Sequence, residues 1–247
     1  MTVVLLGHGR LGSAIAEGWR LTGAVSDPTI LTRAVPPVCP VDTAALVIAV
    51  KPAAWREAVA PLLASLPTDA VVLSVMAGVR AADLSAALPR RAVARVMPTT
   101  AVAQAEGVAA IWSDDVSART LAHALFDAVA DTVDLDDESL IDAATAVAGS
   151  APAFFYALAQ ALAAAGVEAG LTPDAAHRLT RGALRSAGSG AGTEATLDDL
   201  IARIASPGGT TRAGLDALRD ADLGAAGRAA VQAAVARAKA LAGDQPA

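Results

Sequence analysis

The alternation of short apolar runs with helical segments over the first 135 residues is the feature that most constrains the fold of this chain. The first run, residues 2–7, is short and rich in Val and Leu and ends at a glycine, as buried strands do. Strands that alternate with helices predict a parallel sheet covered by helices. The predicted strands are residues 2–7, 29–32, 45–50, 70–75, 92–97, 107–112 and 131–135, and the predicted helices are residues 13–22, 55–66, 81–88 and 117–129.

The pattern changes after Asp137. From Glu138 to Ala242 nearly every segment has helical periodicity, with breaks at glycine and proline. We therefore expect two domains, an α/β domain in residues 1–136 and an all-α domain in residues 137–247.

A glycine-rich turn follows the first predicted strand. The residues Gly7, His8, Gly9, Arg10, Leu11 and Gly12 fit G-x-G-x-x-G, and a predicted helix comes next. Gly7 allows the tight turn, Gly9 allows a pyrophosphate to approach the backbone, and Gly12 lets the helix pack on the strand. We therefore expect a Rossmann-like NAD(P)-binding domain in which these six residues contact the cofactor. The alternatives are an ordinary strand-to-helix turn and, for His8, a side chain that only faces solvent.

The end of the second predicted strand indicates which dinucleotide is bound. An NAD site usually has an acidic residue there, about 20 residues beyond the glycine turn, to hold the ribose 2′-hydroxyl. This chain has Thr32 and Arg33 instead, and a hydroxyl beside a guanidinium suits a 2′-phosphate. We predict NADPH as the cofactor, with NADH as an alternative. The alternative interpretation of Arg33 is a solvated charge in a loop, with no role in binding the cofactor.

The predicted Rossmann-like domain is abbreviated. A full dinucleotide-binding unit has a helix and a third strand between positions that correspond to Thr32 and Ala45. Only a proline-rich stretch, residues 35–40, occupies this part of the sequence, and three prolines in so short a run exclude regular structure. The adenine side of the pocket is therefore predicted to be open or closed by other residues.

A second glycine-rich helix start lies near the other end of the chain. Ser206–Pro207–Gly208–Gly209–Thr210–Thr211 precedes a helical pattern, so unpaired backbone N–H groups are predicted there with hydroxyls beside them. Such a helix start receives a small anion such as a carboxylate. Two anion sites, one for a cofactor and one for a substrate, suggest a redox enzyme.

The composition narrows the classes of partner. Charged residues make up 18% of the chain and hydrophobic residues 54%, so we expect oligomerisation to cover apolar surface. The net charge of −6 and the absence of a basic block disfavour nucleic-acid binding. The single cysteine forms no internal disulfide, no cysteine–histidine cluster suits a metal, and no charged leader precedes residues 3–6, so a cytoplasmic location is expected.

The uncharged stretch of residues 143–167 is long enough to span a membrane. It contains Gly149, Ser150, Pro152, Gln160 and many alanines, which are weakly apolar at most. We therefore predict a helix buried between subunits and no membrane contact.

Several motifs in the same order make the chain resemble the Δ1-pyrroline-5-carboxylate reductase family over nearly its full length. They are the glycine turn, Ala49–Val50–Lys51–Pro52, Met76–Ala77–Gly78–Val79, Arg95–Val96–Met97–Pro98, Leu140–Ile141–Asp142–Ala143, Gly149–Ser150–Ala151–Pro152–Ala153, Ala165–Gly166–Val167, Gly170–Leu171 and the Ser206–Thr211 run. The resemblance implies a Rossmann domain followed by an all-helical dimerisation domain, with active sites at the interface of a homodimer. Further assembly of dimers into rings is left open.

The resemblance also implies the reaction and the residue roles. NADPH would deliver a hydride to the C=N carbon of a cyclic imino acid, giving L-proline. The substrate carboxylate would bind the N–H groups of Gly208, Gly209 and Thr210, with Ser206 shaping the loop and the Thr211 hydroxyl near the ring nitrogen. Ala49, Val50, Lys51 and Pro52 would line the nicotinamide side, and Met76, Ala77 and Gly78 would approach the cofactor. Thr211 and Lys51 are the predicted catalytic residues; the alternatives are helix capping for Thr211 and a solvent-directed side chain for Lys51.

Two positions differ from the family pattern near the expected ligands. Thr99 stands where the family usually has asparagine, and Ala151 stands in place of a glycine, so the substrate pocket is predicted to differ. A second hypothesis is therefore a related imine reductase that acts on another cyclic imino acid. A third is a protein that binds NAD(P) without turnover.

Overall fold

The computed structural model describes residues 1–34 and 37–243, and these divide into two compact units. The first unit contains residues 1–149 together with the chain from Gln232 onward, and the second contains Ser150–Val231. The predicted domain boundary between residues 136 and 137 stays a prediction.

The first unit is built on a seven-stranded sheet in the order β2-β1-β3-β4-β5-β6-β7. The strands are β1 (Thr2–Leu6), β2 (Thr29–Leu31), β3 (Thr43–Ile48), β4 (Val71–Ser74), β5 (Val93–Pro98), β6 (Gly107–Trp112) and β7 (Ala130–Asp134). Each predicted strand is present with ends shifted by at most two residues, so the predicted α/β Rossmann-like fold is confirmed. β3 ends two residues earlier than expected, which places Ala49 and Val50 after the strand.

The abbreviation predicted after the second strand is confirmed in the described residues. β2 is an edge strand with β1 as its neighbour, and residues 32–34 and 37–42 form neither helix nor strand. Val35 and Pro36, the start of the proline-rich stretch, lie outside the described residues.

The predicted parallel sheet is found except at one pairing. β5 and β6 are antiparallel, with Arg95 opposite Trp112 and Pro98 opposite Ala109, whereas the other pairings in the described residues are parallel. A parallel return needs a crossover of a dozen or more residues. Only residues 99–106 separate these strands, and they contain a 3₁₀ turn at Thr100–Gln104 that the sequence pattern did not predict.

The helices of the first unit cover both faces of the sheet. They are α1 (Arg10–Thr22), α2 (Trp55–Val59), α3 (Ala81–Ala87), α4 (Val116–Phe126) and α5 (Ile141–Ala144), with 3₁₀ turns at Pro52–Ala54, Ala60–Ala64 and Glu138–Leu140. The predicted single helix over residues 55–66 is wrong in its second half. Pro61 has no N–H to donate there, and the chain continues as the Ala60–Ala64 turn.

Alternate residues of the strands build two cores. Val3, Leu5 and Val47 face α1 and α4, where Trp19 and Phe126 pack edge to face with ring centroids 6.1 Å apart. The indole Nε1 of Trp19 donates to the carbonyl oxygen of Leu125 at 2.6 Å, so the buried polar atom of this ring is satisfied. The other core, which lies around Val4, Leu6, Leu46 and Ile48, includes Trp55 and Leu84.

The second unit is helical. It contains α6 (Ala151–Glu168), α7 (Pro173–Ala191), α8 (Leu197–Ile204), α9 (Thr210–Asp220) and the start of α10 (Leu223–Gly243). Thr172 caps α7 by accepting from the N–H of Ala175, and Thr196 caps α8 by accepting from the N–H of Asp199. A β-carbon at Gly166 would lie 3.2 Å from Leu171 Cδ1, so the glycine permits the close turn between α6 and α7.

The apolar stretch discussed above for a membrane span forms a π-helical turn, Thr145–Ser150, followed by α6. Within the helical region Glu138–Glu168, an 18-residue window is long and apolar enough to cross a membrane, and 11% of that window is buried in the isolated chain. Phe155 and Tyr156 of α6 are 58% and 64% exposed. An apolar helix this exposed needs a covering surface.

Candidate active site

The glycine turn after β1 is shaped by close backbone contacts. Gly7 has φ = +103°, and a β-carbon there would lie 2.7 Å from the carbonyl oxygen of Ala49. A β-carbon at Gly12 would overlap the carbonyl oxygen of Gly7. Neither position accepts a side chain without displacing the backbone. The two glycines therefore bring the start of α1 directly against the end of β1.

The N-terminus of α1 has no side-chain cap. Gly9 is the N-cap residue, and a β-carbon built on it would have no other atom within 4 Å. The helix begins at Arg10, three residues before the predicted Ser13. The first N–H groups of a helix have no partner within the helix. The Ser13 hydroxyl donates to the carbonyl oxygen of His8 at 3.2 Å and so holds the turn without covering those amides. This geometry suits a phosphate.

A row of backbone hydrogen bonds aligns the residues that follow the strands. The N–H of Gly7 donates to the carbonyl of Leu31 at 2.9 Å, and the N–H of Ala49 donates to the carbonyl of Leu6 at 2.8 Å. The N–H of Val75 donates to the carbonyl of Ile48 at 3.1 Å. The residues after β1, β2, β3 and β4 therefore lie side by side at one edge of the sheet. In doubly wound sheets this carboxyl edge is where dinucleotides bind.

Thr32 and Arg33 lie at this edge, beside the glycine turn. The Thr32 hydroxyl oxygen accepts from the N–H of Ala34 at 3.3 Å. Arg33 is exposed and has no ion-pair partner among residues 1–34 and 37–243. His8 and Arg10 are also exposed within the turn. The pair Thr32 and Arg33, with His8 and Arg10, thus surrounds the bare end of α1 with donors.

The Ala49–Pro52 segment continues from β3 along the same edge. Ala49 and Val50 are half-buried and Lys51 is exposed. Lys51 precedes the 3₁₀ turn Pro52–Ala54, and its carbonyl oxygen accepts from the N–H of Ala54 at 2.9 Å. The backbone of Lys51 is therefore fixed while its ammonium group is solvated.

The Met76–Gly78 segment follows β4. Met76 and Gly78 are buried, Ala77 is exposed, and Gly78 has φ = +73°. The hydroxyl oxygen of Ser74 accepts from the N–H of Met76 at 3.3 Å. Ser74 was not predicted to take part in the site; a polar residue at the end of an otherwise apolar run is the signal that marks it.

Arg95 and Glu138 are a second feature that the sequence reasoning missed. Nη1 of Arg95 lies 3.0 Å from Oε1 of Glu138, and that oxygen also accepts from the N–H of Ala81 at 2.7 Å. The pair therefore joins β5, the start of α3 and the 3₁₀ turn at residues 138–140. A charged residue inside the apolar run of residues 92–97 is the signal that could have found it.

Thr99, the position that differs from the family pattern, is buried beside β6. Its hydroxyl oxygen accepts from the N–H of Val108 at 3.2 Å, and its own N–H donates to the carbonyl of Val108 at 2.9 Å. The hydroxyl therefore helps to close the β5–β6 connection. Its proton and one lone pair are left for other partners.

The Ser206–Thr211 turn lies between α8 and α9 in the second unit. Gly208 has φ = +71°, Gly209 is the N-cap residue of α9, and no side chain caps this helix. The N–H of Gly209 donates to the carbonyl of Ser206 at 3.1 Å, so this amide is used within the turn. The amides of the first turn of α9 are left without an intrahelical partner. Among the described residues the hydroxyls of Thr210 and Thr211 have no hydrogen-bond partner, and both residues are exposed.

The structure brings the predicted cofactor residues together and groups the predicted substrate residues separately. All the residues predicted to contact the cofactor lie at the carboxyl edge of β1, β2, β3 and β4, within residues 1–149. All the residues predicted to contact the substrate lie in one turn of the second unit.

Comparison with known proteins gives the family. A sequence model described as pyrroline-5-carboxylate reductase dimerisation matches residues 138–241. The pyrroline-5-carboxylate reductase of Pseudomonas aeruginosa is 37% identical over 179 residues, which span 70% of this chain and 66% of that protein. The pyrroline-5-carboxylate reductase of Synechocystis sp. is 34% identical over 203 residues, which span 79% of this chain and 74% of that protein.

The chain belongs to the pyrroline-5-carboxylate reductase family. Solved structures of pyrroline-5-carboxylate reductases have the same fold over nearly the whole chain. The Coxiella burnetii protein superposes with a TM-score of 0.86 at 24% identity, covering 97% of this chain and 98% of that one. The Plasmodium falciparum protein, solved with NADP bound, superposes with a TM-score of 0.80 at 22% identity, covering 98% of both chains. The family's dimerisation domain is thus present downstream of a Rossmann-like domain.

Proposed function

We propose that the protein reduces the C=N bond of Δ1-pyrroline-5-carboxylate to give L-proline, with NADPH as the reductant and NADH as a weaker alternative. The observation that carries this proposal is the pair of uncapped helix N-termini, one at Gly9 and one at Gly209. One follows a dinucleotide-binding turn and the other follows a turn that suits a carboxylate. The relatives named above share both the fold and the name of this activity.

The glycine turn fits the pyrophosphate of a dinucleotide. The amides of Arg10, Leu11 and Gly12 point out of the first turn of α1, and the open space at Gly9 admits the phosphates. Thr32 and Arg33 supply a hydroxyl and a guanidinium where an acidic residue would repel a 2′-phosphate, so they favour NADPH. When bound, NADPH supplies the hydride for the imine carbon. Ala49–Pro52 and Met76–Gly78 then line the nicotinamide end of the same edge.

The Ser206–Thr211 turn holds the substrate carboxylate. The amide of Thr210 and its neighbours in the first turn of α9 provide donors, and the positive end of the helix dipole favours the negative charge. Because Gly209 donates to Ser206, its role is to keep the turn open: a β-carbon at Gly209 would lie 2.8 Å from the Ser206 hydroxyl.

The residues of this chain then determine the protonation of the ring nitrogen. Hydride addition at carbon leaves the ring nitrogen as an amine, so that nitrogen must hold or gain a proton. The Thr211 hydroxyl is free to hydrogen-bond the ring nitrogen and to orient it, and the Lys51 ammonium provides positive charge beside the nicotinamide segment. No strong base is required, because a protonated imine is already electrophilic.

We propose that the working form is a cytoplasmic homodimer without membrane contact, in which residues 137–247 form the dimerisation and substrate-binding domain. The exposed apolar surface of α6 supports this arrangement, because a second copy of the chain would cover Phe155 and Tyr156. Assembly of dimers into rings is compatible with it.

The test is a cofactor-oxidation assay with purified protein. NADPH is mixed with Δ1-pyrroline-5-carboxylate, and the absorbance of the reduced nicotinamide is followed. Saturable oxidation that yields proline supports the proposal. Oxidation only with a six-membered cyclic imino acid would move the substrate assignment to the second hypothesis, and tight NADPH binding without oxidation of any imine would contradict a reductase.

A further inference from the structure

The start of α3 is held by a carboxylate from a distant part of the sequence. Its N-cap residue, Arg80, has an extended backbone and makes no side-chain cap hydrogen bond. Helix starts are normally capped by Ser, Thr, Asp or Asn at this position. Here Oε1 of Glu138 accepts from the N–H of Ala81, the first residue of α3, at 2.7 Å, and the negative charge suits the positive end of a helix. Glu138 therefore replaces the missing cap from 57 residues away.

The Glu138 carboxylate is in turn held by Arg95. That arginine is 4% exposed, and its Nη1 donates to the same Oε1 at 3.0 Å. Its Nε and Nη2 are enclosed by protein and have no hydrogen-bond partner in the described part of the chain. Arg80 and Lys239 line a cavity beside Glu138, but within residues 1–34 and 37–243 the ion pair of Glu138 is with Arg95. Because breaking a buried ion pair is strongly destabilising, the carboxylate has little freedom to move.

Two paired residues of neighbouring strands anchor the segment that precedes α3. Ser74 of β4 and Arg95 of β5 are register partners in the sheet. The Ser74 hydroxyl oxygen accepts from the N–H of Met76 at 3.3 Å, and Arg95 acts through Glu138 on the N–H of Ala81. The backbone between these two hydrogen bonds is the segment expected to line the nicotinamide end of the cofactor. It is therefore held at its beginning by Ser74 and at its end by Glu138.

We propose that Glu138 is a positioning residue for the nicotinamide: its carboxylate, held by Arg95, fixes the backbone of Met76–Gly78 against the ring. The proposal rests on the proposed function only in that this segment contacts the cofactor. When the bond to Ala81 is lost, the glycine turn and Arg33 should still bind the adenosine half of NADPH, whereas contact with the nicotinamide half should loosen. A role in stability alone would not discriminate between the two halves.

Calorimetric titration of the purified full chain with two nucleotides tests this role. NADPH carries the nicotinamide, and adenosine 2′,5′-bisphosphate carries only the half with the 2′-phosphate. Glu138→Ala and Ala81→Pro remove the same hydrogen bond from its two sides; proline is tolerated at the first position of a helix, and the extended backbone of Arg80 suits a residue before proline. Both variants should raise the Kd for NADPH by roughly tenfold and leave the Kd for the bisphosphate unchanged. If Glu138→Ala does not fold because Arg95 loses its partner, Ala81→Pro keeps that ion pair and decides.

Asp115→Ala is the matched control, because it also removes a carboxylate that accepts from a helix-start amide, here the N–H of Ala118 in α4 at 2.9 Å. It should lower the urea midpoint and leave the ratio of the two Kd values as in the wild type. An unchanged ratio in Glu138→Ala and Ala81→Pro would make Glu138 a structural cap alone, and an equally changed ratio in Asp115→Ala would assign the effect to general destabilisation; either result overturns the proposal.

The wild-type protein separates this proposal from the reductase activity. Equal binding of NADPH and the bisphosphate by the wild type would mean that no nicotinamide contact exists to be positioned, which also overturns the role of Glu138. The ratio of the two Kd values needs no turnover. A protein that binds NADPH but reduces no imine would therefore contradict the reductase, while the ratio in Glu138→Ala and Ala81→Pro would still decide the role of Glu138.

Discussion

Gly12 approaches the carbonyl oxygen of Gly7 so closely that a β-carbon at Gly12 would overlap that oxygen. Three residues before Gly12, Gly9 faces open space and has φ = −78°, a value that any residue adopts. The two glycines of one motif therefore have different physical roles. One is needed for the fold of the turn, and the other is needed for the approach of a ligand.

Gly12→Ala should destabilise the folded protein, whereas Gly9→Ala should weaken only the binding of the cofactor. We expect the first variant to lower the free energy of unfolding by about 1–3 kcal/mol, the usual cost of overpacking. We expect Gly9→Ala to keep the wild-type urea midpoint and to raise the Kd for NADPH by roughly tenfold or more, which corresponds to about 1.4 kcal/mol. Denaturation and fluorescence titration measure the two effects. A stable Gly12→Ala variant with normal NADPH binding would contradict this division of roles.

Arg33→Ala should weaken NADPH binding more than NADH binding. Arg33 is exposed beside Thr32 at the end of β2, and a charge-assisted hydrogen bond to a 2′-phosphate contributes about 1.5–3 kcal/mol. The Kd for NADPH should therefore rise by roughly tenfold or more while the Kd for NADH changes little. Arg20→Ala is the matched control, because Arg20 is an exposed arginine in the last turn of α1, at the opposite end of that helix from the glycine turn. Equal losses for both nucleotides would remove Arg33 from 2′-phosphate recognition.

Thr211→Ala should lower kcat with little change in the affinity for NADPH. The hydroxyl has no partner within the described residues, so its removal costs no internal hydrogen bond. Orientation and protonation of the ring nitrogen are expected to contribute about 10²-fold to the rate. Thr211→Ser keeps the hydroxyl and should retain most of the activity. An alanine variant with the wild-type kcat would remove Thr211 from the mechanism.

Stability should fall as the pH rises through neutrality, because of His123. Nδ1 of His123 lies 2.9 Å from Oδ1 of Asp127 and Nε2 lies 3.3 Å from Asp134. The hydrogen bond to Asp127, helped by Asp134 and opposed by burial, raises the pKa of His123 above its ordinary value of 6.5. A raised folded-state pKa gives stability that is complete below the unfolded value and is lost as the pH passes the folded value.

Urea denaturation between about pH 5.5 and pH 8.5 measures this dependence. His123→Gln should flatten the slope, and His177→Gln, which changes an exposed histidine of α7, should leave it as in the wild type. An unchanged slope in His123→Gln would assign the pH dependence to other groups.

Phe155→Glu should dissociate the proposed dimer. Phe155 lies on α6 and is 58% exposed in the isolated chain, and a buried aromatic ring commonly dominates the energy of an interface. Light scattering after size exclusion should show a monomer, or a Kd for dimerisation raised by orders of magnitude. Leu21→Glu on α1 is the matched control, since Leu21 has nearly the same exposure, 57%, but lies in the first unit. Dissociation by both substitutions would indicate a general loss of solubility instead.

Local patterns predicted the strands and the glycine turn because each depends on nearby residues. Val3, Leu5 and their neighbours had to be buried, and Gly7 and Gly12 had to be glycine, whatever the rest of the chain did. The antiparallel return of β6 was missed because it depends on the short connection at residues 99–106 and not on the apolar pattern of residues 107–112. Pro61 similarly ended α2 early, although the periodicity of residues 55–66 is helical.

The candidate sites, like the fold, were predictable only where they depend on nearby residues. The bare ends of α1 and α9 follow from glycine positions that are visible in the sequence. The bond between Gly209 and Ser206 was not predicted, because it depends on the dihedral angles of a single turn. Arg95 and Glu138 lie 43 residues apart, and only the folded chain shows that one guanidinium nitrogen of Arg95 is paired while two are not.

The shortness of β2 has a consequence for how copies of this chain associate. A sheet can extend by adding strands at its margins, and this is a common route to aggregates. Here one margin is a three-residue strand next to prolines, and the other, β7, bears Asp131 and Asp134. Neither edge strand offers a long, uncharged backbone template for a further strand, so pairing of sheet edges between copies is disfavoured, which is consistent with the proposed association through helices.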